Sequence, residues 1–534
     1  MHVRHGRAVA AGALALAITL SACSGSSDES TGAGGASSVT IAEGEPDHLN
    51  PGRQTVAFDQ TMALFASLTE VDSDGELQML AAESVESDDA VTWTITLRDG
   101  WTFHDGEPVT AESYVRAWNT VAYGPNAWEN NGQLANIAGY ADLNPAEGQP
   151  TTEEMSGLVV VDDRTFTVTL AAPDGQFPLQ LSQAQTGFYP LPSVAYDDLE
   201  AYDRAPVGNG PFQMEGEWVD DEPITVTAWE DYPGEAPTVE EIVFKPYADM
   251  NTAYTDVQAG DTDLMFLTAD KMTSAAADFG ERVYSFAAPG ISYLGLPLYD
   301  ERYADVRVRR AISMAIDRDA VNEVIYGGLY EPATAYTPPA EQGTPEGLCG
   351  EWCEYDPEAA AALLAEAGGF EGTMEIVYPG GAGLDALYEA YANQLRQNLG
   401  ITDVVTRPST DWAEFAEARA NGEMTGPFFS RWGALYPSQQ NTLRTFFTPT
   451  GGCVQCVPWT DQEVIDLIAA ADATVDPDAA IEGYVAAQEA IVQDLPAVPT
   501  FFETYNFVTS EKIANLPQAV GSPVLSRIVL AEDA

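Results

Sequence analysis

The stretch "LRDGWTFHDGEPVTAESYVRAW", residues 97–118, raises the question on which the fold class depends. Its polar side chains are crowded enough to form an acid–base or metal site, or they could hold a scaffold together. The polar residues in question are Asp99, His104, Asp105, Glu107 and Glu112. Their surroundings favour the scaffold, because each has a local structural role and none has the spacing of a metal site.

The residues that begin this region predict strands and turns. "VTWTITL", residues 91–97, alternates apolar residues with threonines, which is typical of a half-buried strand. Two Asp-Gly turn signals, at 99–100 and 105–106, flank Trp101 and Phe103. Aromatic residues between two such turns predict a short returning strand.

A helix is predicted directly afterwards. Thr110 can cap its N-terminus, and Glu112 in the first turn complements the helix dipole. The apolar residues that follow fall on one helical face: Tyr114, Val115, Trp118 and Val121. The stretch therefore predicts a strand, turns and a helix rather than a reactive site.

The same stretch resembles the signature of the family 5 extracellular solute-binding proteins of ABC importers, the oligopeptide- and dipeptide-binding group. That signature runs from a strand ending in L-R-x-G through F-x-D-G-x-P-V-T-A into a helix. Other segments resemble the family in the expected order: "EGEPDHLNP" (43–51), "APVGNGPFQM" (205–214), "DVRVRRAISMAIDRDAV" (305–321), "YDPEAAAALLAEAG" (355–368) and "IVQDLPAVPTFF" (491–502). The resemblance covers residues 39–530.

The resemblance implies an α/β, two-lobed, periplasmic-binding-protein-like fold of the large cluster-C type. Its lobes would be joined by hinge crossovers near 292–296 and 500–505. We expect lobe I over 39–294, lobe II over 295–500, and a C-terminal return to lobe I over 501–534. Mixed α/β structure also follows from the residues, because strand-like stretches at 165–170, 224–229 and 241–247 interleave with helical ones.

Asp305 predicts the start of a further helix. Its apolar stripe would consist of Val308, Ala311, Ile312, Ala315 and Ile316. The arginines of this segment, Arg307, Arg309 and Arg310, would lie elsewhere on the helix.

The N-terminus predicts export. Arg4 and Arg7 precede an apolar run, and small residues follow it up to Cys23, so residues 1–22 have the features of a secretory signal. The run is too short to span a bilayer comfortably. It looks like a bacterial lipoprotein signal, in which Cys23 would be acylated; an ordinary signal with a chance cysteine is the alternative. Residues 23–38 predict a flexible polar linker, so we expect an extracytoplasmic body anchored to the cell membrane by lipid.

The chain is strongly acidic, with 83 acidic and 22 basic residues and a formal net charge of −61. This charge repels nucleic acid and anionic lipid headgroups, so neither is expected as a partner. It could also favour neutral or cationic ligands.

Four cysteines follow Cys23. An even number in an oxidising compartment favours two disulfides, and we favour the local pairs Cys349–Cys353 and Cys453–Cys456. A zinc site built from the C-x₃-C and C-x₂-C spacings is the alternative. Neither interpretation makes these residues catalytic, and we predict no metal and no cofactor.

Catalytic patterns are missing from the sequence. Outside the signal the only histidines are His48 and His104, and neither H-E-x-x-H nor G-x-S-x-G occurs. Counting cannot exclude a pair of carboxylates spaced as in a glycosidase. The prediction is a protein that is not an enzyme and that leaves ATP hydrolysis to partner subunits, since it has no G-x-x-x-x-G-K-[ST].

The candidate ligand-binding residues come from the resemblance. "DWAEFAEARANGEM", residues 411–424, is similar to the family's W-x-x-F-x-x-x-R pattern. This implies that Trp412 lines a side-chain pocket and that Arg419 meets a ligand carboxylate, for which a guanidinium fork is suited. From the residues alone, a buried aromatic and an exposed helix arginine remain open. Ala57 and Phe58, within 55–58, are implied to line the first lobe.

A second segment, "RWGALYPSQQNTLRTFF" at 431–447, aligns with the family's G-W-x-x-D-x-x-x-P. Trp432 falls at a ligand-lining tryptophan. Leu435 replaces the aspartate that grips a peptide's α-ammonium in those members, and leucine cannot accept a hydrogen bond. Either a shifted acid does this, or the ligand lacks a free ammonium at this point.

We therefore expect a monomeric, lipid-anchored receptor that captures oligopeptides and delivers them to an ABC permease. The lobes would close over the ligand. The alternative is the same fold binding an oligosaccharide or another non-peptide solute.

Overall fold

The structure is a computed structural model that describes residues 37–183, 187–449 and 451–532. The predicted signal, the candidate lipidation site Cys23 and the linker up to Ala36 lie outside the described residues. Within those residues, no helix combines the length and apolar character needed to span a membrane.

Strands and helices alternate along the described chain. The strands are β1 Ser38–Glu43, β2 Thr69–Val71, β3 Leu77–Met79, β4 Ala82–Glu86, β5 Thr92–Leu97, β6 Leu158–Asp162, β7 Thr165–Thr169, β8 Phe212–Glu215, β9 Ile224–Ala228, β10 Glu241–Pro246, β11 Leu264–Phe266, β12 Val283–Gly295, β13 Glu331–Pro332, β14 Met374–Tyr378, β15 Val404–Pro408, β16 Phe428–Gly433, β17 Ala497–Thr509, β18 Ile513–Asn515, β19 Gln518–Ala519, β20 Ser522–Pro523 and β21 Val529–Leu530. The α-helices are α1 Asp59–Leu64, α2 Ala111–Ala122, α3 Tyr140–Leu143, α4 Phe177–Gln180, α5 Leu199–Arg204, α6 Met250–Ala259, α7 Met272–Phe279, α8 Val306–Met314, α9 Arg318–Val321, α10 Pro357–Glu366, α11 Asp385–Leu399, α12 Trp412–Ala420, α13 Gln439–Phe447, α14 Gln462–Asp472 and α15 Pro477–Asp494.

One large sheet runs through both lobes. Its strands follow the order β15-β14-β16-β12-β17-β11-β1-β10-β9-β8, and β13 also pairs with β17. In one half β1 is parallel to β10 and β11, and in the other β14 is parallel to β15 and β16. Between these halves, β12 and β17 are antiparallel to each other and to their outer neighbours.

The strands β12 and β17 are the crossovers. The pairing of β12 with β17 shifts register between Ala287 and Ile291, and beyond this shift Gly290–Gly295 also pairs with β16. The far end of β17, Phe507–Thr509, pairs with β11 in the other half of the sheet. Both strands thus continue from one lobe into the other, and the predicted two-lobed α/β fold with hinge crossovers is confirmed.

Each lobe has its own apolar core. The largest cluster of buried residues draws only on residues 39–264 and 507–528. Two further clusters draw only on residues 291–502. Separate cores connected by a pair of strands are the arrangement expected of two bodies that can rotate about a hinge.

The signature stretch forms part of a small antiparallel sheet of order β4-β5-β7-β6. In β5, Trp93, Ile95 and Leu97 are buried, as the alternation predicts. Thr110 caps α2, where its side chain accepts a hydrogen bond from the backbone N–H of Ser113. The predicted returning strand is only an isolated bridge between Thr102 and Pro108, because the two turns leave no room for a longer ladder.

His104 has the structural role that the sequence predicts. Its Nδ1 accepts a hydrogen bond from the Gly208 N–H at 3.2 Å, and its Nε2 donates to the Gly210 carbonyl at 3.1 Å. Burial lowers the pKa of His104 to about 4. A neutral imidazole with both nitrogens engaged by backbone is a scaffold element.

The helix predicted at Asp305 is α8, which Asp305 caps by accepting a hydrogen bond from the Arg307 N–H at 2.8 Å. Arg309, which was expected to lie away from the apolar stripe, is nevertheless buried. Its guanidinium donates to carbonyls of Tyr303, Ala304, Asp494 and Leu495. The turn after α15 covers this side chain, a contact across 185 residues of sequence that local patterns do not show.

Candidate functional site

A cavity of about 220 Å³ opens beside the crossover strand β17 on the lobe I side. Aromatic side chains form much of its wall, namely Phe58, Phe266, Tyr505 and Phe507. The ring of Phe266 packs against Tyr505 and Phe507 with centroids 5.8 and 5.4 Å apart, yet 43% of Phe266 remains exposed. An exposed aromatic surface in a cavity beside a crossover strand is a typical ligand-contact surface.

The predicted residues Ala57 and Phe58 line this cavity. Ala57 has a left-handed backbone (φ 56°), and its carbonyl accepts a hydrogen bond from the Gln54 side chain. This strained turn leads directly into α1 and places Phe58 at the helix N-terminus. The geometry explains why the segment turns toward the cavity.

Two acidic residues, Glu43 and Asp59, line the same cavity. Glu43 is the last residue of β1 and accepts a hydrogen bond from Gln60 Nε2 at 2.5 Å. Asp59 opens α1 and has no hydrogen bond or ion pair from its carboxylate to any described residue. Burial raises the pKa of Asp59 to about 6, and burial together with the Asp59 charge raises the pKa of Glu43 well above its usual range.

An ion pair occupies the crossover itself. Arg431 of β16 donates two hydrogen bonds to Glu503 of β17, with Nε–Oε1 at 2.7 Å and Nη2–Oε2 at 2.5 Å. Glu503 is 3% exposed, Arg431 is 44% exposed, and Ser292 donates a further hydrogen bond to Glu503 at 2.8 Å. Burial opposes the charge of Arg431, but Glu503 raises the pKa of this guanidinium above its ordinary value. The ion pair and the Ser292 hydrogen bond connect three adjacent strands, β16, β12 and β17, at the hinge.

Gly290 is required for this close approach. A Cβ at this position would lie 2.8 Å from Glu503 Oε2, closer than real Cβ atoms come to other heavy atoms. The register shift of β12 falls at the same place. The backbone of the hinge is therefore shaped around the buried carboxylate.

On the lobe II side, Trp412 begins α12 and is 54% exposed. Its ring packs against Phe415 and Phe429 with centroids 5.7 and 6.0 Å apart. Phe429 is two residues from Arg431 in β16, so both side chains are on one face of the strand. Trp412 therefore packs on the face of β16 that also carries Arg431.

Arg419 lies over these aromatic rings rather than beside an acid. Its Cζ is 5.2 Å from the Phe415 ring centroid and 5.8 Å from that of Trp412. Burial lowers its pKa, and its guanidinium makes no ion pair with a described residue. A guanidinium with aromatic neighbours and no carboxylate partner is available to pair with an anionic group of a ligand.

Trp432 and Leu435 lie apart from Trp412. Trp432 is adjacent to Arg431 and therefore points to the other face of β16, where its Nε1 donates to Asn441 Oδ1 at 2.7 Å. Leu435 packs against an apolar cluster formed by Val71, Leu179 and Tyr436, which joins residues of both lobes. The structure thus brings Ala57 and Phe58 together at one cavity, but it does not place Trp412 and Trp432 on one surface.

A larger cavity, about 1060 Å³, lies elsewhere, between the β4–β5 hairpin and the start of α15. Residues of both lobes line it, including Trp93 and Tyr484. None of the residues predicted to bind ligand does so. We place the candidate site at the smaller cavity because a crossover strand and the predicted segment at 57–58 both line it.

The four described cysteines lie in lobe II. The structure joins Cys349 to Cys353 and Cys453 to Cys456. Within the described ranges, no group of three or more histidine, cysteine or acidic residues has the geometry to hold a metal ion.

Sequence reasoning missed several residues of this site: Glu43, Asp59, Phe266, Arg431, Glu503 and Tyr505. One signal was available for the hinge pair, because Glu503 is the only charge within the apolar strand "FFETYNF" and Arg431 the only charge in "FFSRWG". A buried charge needs a partner, so two apolar strands that each carry a single charge of opposite sign are expected to bring those charges together. Glu43 and Asp59 carried no comparable signal, since both look like ordinary residues at the ends of elements.

Comparison with known proteins identifies the same family that the sequence resembles. The profile described as bacterial extracellular solute-binding proteins, family 5 Middle, matches residues 76–452. A probable deoxycholate-binding periplasmic protein of Escherichia coli strain K12 is 26% identical over 484 residues, which are 86% of this chain and 86% of that protein. A dipeptide-binding protein of the same strain is 24% identical over 482 residues, covering 86% of this chain and 88% of its own.

The fold is also found among solved structures. A periplasmic murein tripeptide-binding protein in an unliganded open form superposes with a TM-score of 0.82 at 22% identity. The match covers 93% of this chain and 98% of that one. At this level of identity the similarity establishes the fold, including its two lobes.

Proposed function

This chain belongs to family 5 of the bacterial extracellular solute-binding proteins, and from that premise we propose that it captures oligopeptides for an ABC permease. It is a binding protein and not an enzyme. The ligand class, the lipid anchor on Cys23 and the monomeric state are parts of the proposal. So is the division into lobe I (39–294), lobe II (295–500) and a C-terminal return (501–534).

The observation that carries the proposal is the aromatic cavity beside the crossover strand β17. Its rings offer apolar contact to peptide side chains, and a peptide that closes the lobes would bury those rings. Backbone groups at strand ends can pair with an extended ligand backbone, which allows many side-chain sequences. A non-selective peptide carrier needs both properties.

A comparison of ligand classes by calorimetry tests this proposal. We expect calorimetry to show micromolar or tighter binding of short peptides, with no heat from maltooligosaccharides or deoxycholate. Heat from oligosaccharides or deoxycholate but not from any peptide pool would contradict the peptide assignment. Native mass spectrometry of the protein as purified offers an independent readout, since a co-purified ligand reveals its own mass.

Arg419 is proposed as the anchor for a peptide carboxylate. Amidating the peptide C-terminus is expected to weaken binding to the unmodified protein more than tenfold, because the guanidinium loses a charge-assisted partner. In Arg419→Gln the same amidation should have no effect. Arg396→Gln is the matched control, because Arg396 pairs on the surface of α11 with Glu389 at 2.9 Å. Equal sensitivity to amidation in Arg419→Gln and the unmodified protein would remove this role.

The lipid anchor is tested separately. Cys23→Ala is expected to move the protein from the membrane fraction to the soluble extracytoplasmic fraction, because no acyl chain can then be attached. Mass spectrometry of the mature N-terminus should show the corresponding loss of lipid mass. Retention of the variant in the membrane fraction would contradict anchoring through Cys23.

One observation favours the alternative of a non-peptide solute. Leu435 presents an apolar side chain where the resemblance implies an ammonium-binding aspartate, and it packs against other apolar residues. Aromatic walls bind sugars and other apolar-faced solutes as well as peptides. The calorimetric comparison separates these ligand classes directly.

A further inference from the structure

We propose that Asp59 and Glu43, with the aromatic rings around them, form a subsite for a primary ammonium group of the ligand. This inference rests on the proposed peptide-binding function and names a chemical group that the ligand must carry. It also assigns ammonium recognition to lobe I, whereas the resemblance would place it at position 435 in lobe II.

The first argument is the composition of the cavity. Its charged lining residues are Glu43 and Asp59, and its ring-bearing lining residues are Phe58, Phe266, Tyr505 and Phe507. Asp59 also lines an adjoining cavity of about 340 Å³ that shares Phe58 with the first. Carboxylates set among aromatic faces are the surroundings in which an ammonium group is stabilised by both ion pairing and cation–π contact.

The second argument is the absence of a counter-ion within the described chain. The Asp59 carboxylate has no protein partner there, and the Glu43 carboxylate is hydrogen-bonded only to neutral Gln60 among the described residues. Arg431, the cation paired with the crossover strand β17, is already engaged by Glu503 through two hydrogen bonds. Two half-buried acids without a cationic partner among the described residues are costly to ionise, so a cationic ligand group would supply the missing counter-charge.

The third argument is electrostatic. Burial holds the pKa of Asp59 at about 6, and Asp59 raises the pKa of Glu43 further. Tyr505, the other titratable residue on this wall, is neutral because burial raises its pKa. An ammonium placed against the two carboxylates lowers their pKa and favours their ionised forms. Ligand binding near pH 6 should therefore release protons to the solvent.

The test uses four pools of pentapeptides built from Ala, Gly, Ser, Leu and Phe with one variable position. The pools combine a free or acetylated N-terminus with either lysine or norleucine at that position. They separate the two sources of a primary ammonium, the peptide terminus and a lysine side chain. Norleucine retains the length and apolar character of lysine without its charge.

The expected result is a loss specific to ammonium-bearing ligands. Asp59→Asn should weaken binding of those pools more than tenfold while changing the affinity for the acetylated norleucine pool less than twofold. Glu43→Gln should act in the same direction. Asp197→Asn is the matched control, because Asp197 is an exposed acid outside this cavity and its substitution removes the same charge. If acetylation alone reproduces the loss, the ammonium is N-terminal; if norleucine alone does so, it belongs to lysine.

Proton release provides a readout that a purely structural role would not change. Titrations near pH 6 in two buffers of different ionisation enthalpy should show proton release by the unmodified protein and less by Asp59→Asn. If Asp59→Asn and the unmodified protein bind all four pools equally tightly, the subsite is overturned and the proposed function is left intact. Failure of the unmodified protein to bind any pool would instead overturn the proposed function.

Discussion

Arg431→Ala is expected to lower the free energy of unfolding by about 3 kcal/mol. The substitution leaves the Glu503 carboxylate, only 3% exposed, with the Ser292 hydroxyl as its remaining hydrogen-bond donor among the described residues. Removing one partner of a buried ion pair is costly mainly because the other charge stays buried without compensation. Chemical denaturation at neutral pH measures the effect.

Two comparisons make this result specific. Arg396→Ala removes an arginine from the partly exposed pair with Glu389, and pairs of this kind contribute about 0–1 kcal/mol. The double substitution Arg431→Met with Glu503→Leu should recover most of the lost stability, because no buried charge remains. A loss for Arg431→Ala no larger than that for Arg396→Ala would show that the hinge pair does not stabilise the protein.

Asp59→Asn is expected to stabilise the unliganded protein by about 2 kcal/mol at neutral pH. The reason is that burial raises the pKa of Asp59 from 3.8 in an unperturbed chain to about 6 in the folded protein. Above pH 6 the folded protein must hold an ionised carboxylate in an unfavourable setting. Asparagine has nearly the same shape and carries no charge.

The direction of the pH dependence follows from the raised pKa. Below about pH 4 Asp59 is protonated in both the folded and the unfolded chain, so it costs nothing. Between pH 4 and 6 the folded protein binds more protons than the unfolded chain, and stability falls as pH rises. Above pH 6 the cost is constant.

Denaturation of the unmodified protein and Asp59→Asn near pH 4 and near pH 7.5 measures this contribution together with that of Glu43, whose pKa the Asp59 charge raises. The stability difference should be small near pH 4 and favour the variant near pH 7.5. A variant that is less stable than the unmodified protein at neutral pH would contradict the unfavourable burial of this carboxylate. A binding site that reduces stability in the absence of ligand is a common exchange of stability for function.

The fold was predictable where the determining signals are local. The alternation in residues 91–97 and the cap at Thr110 predict β5 and α2, because strand pleat and helix termini are set by a few neighbouring residues. The family resemblance added the two lobes and their crossovers. Burial of Arg309 was not predictable, since the carbonyls that surround it include those of Asp494 and Leu495.

The candidate site was predictable only in part, for the same reason. Glu43 ends a strand and Asp59 begins a helix, and only the folded chain brings them to one cavity with Tyr505. The opposite orientations of Arg431 and Trp432 follow from the two-residue period of a strand, so adjacent residues could not share a surface. For Glu43 and Asp59, which lie at the ends of elements remote from Tyr505 in sequence, neither spacing nor composition identifies the shared cavity.

Small-angle scattering with and without bound peptide tests the central claim most directly. Two lobes with separate cores, joined by β12 and β17, should approach one another when a peptide binds. The radius of gyration is therefore expected to decrease on addition of a peptide pool that calorimetry shows to bind. A scattering profile unchanged by saturating peptide, or a contraction produced by oligosaccharide but by no peptide, would contradict the account.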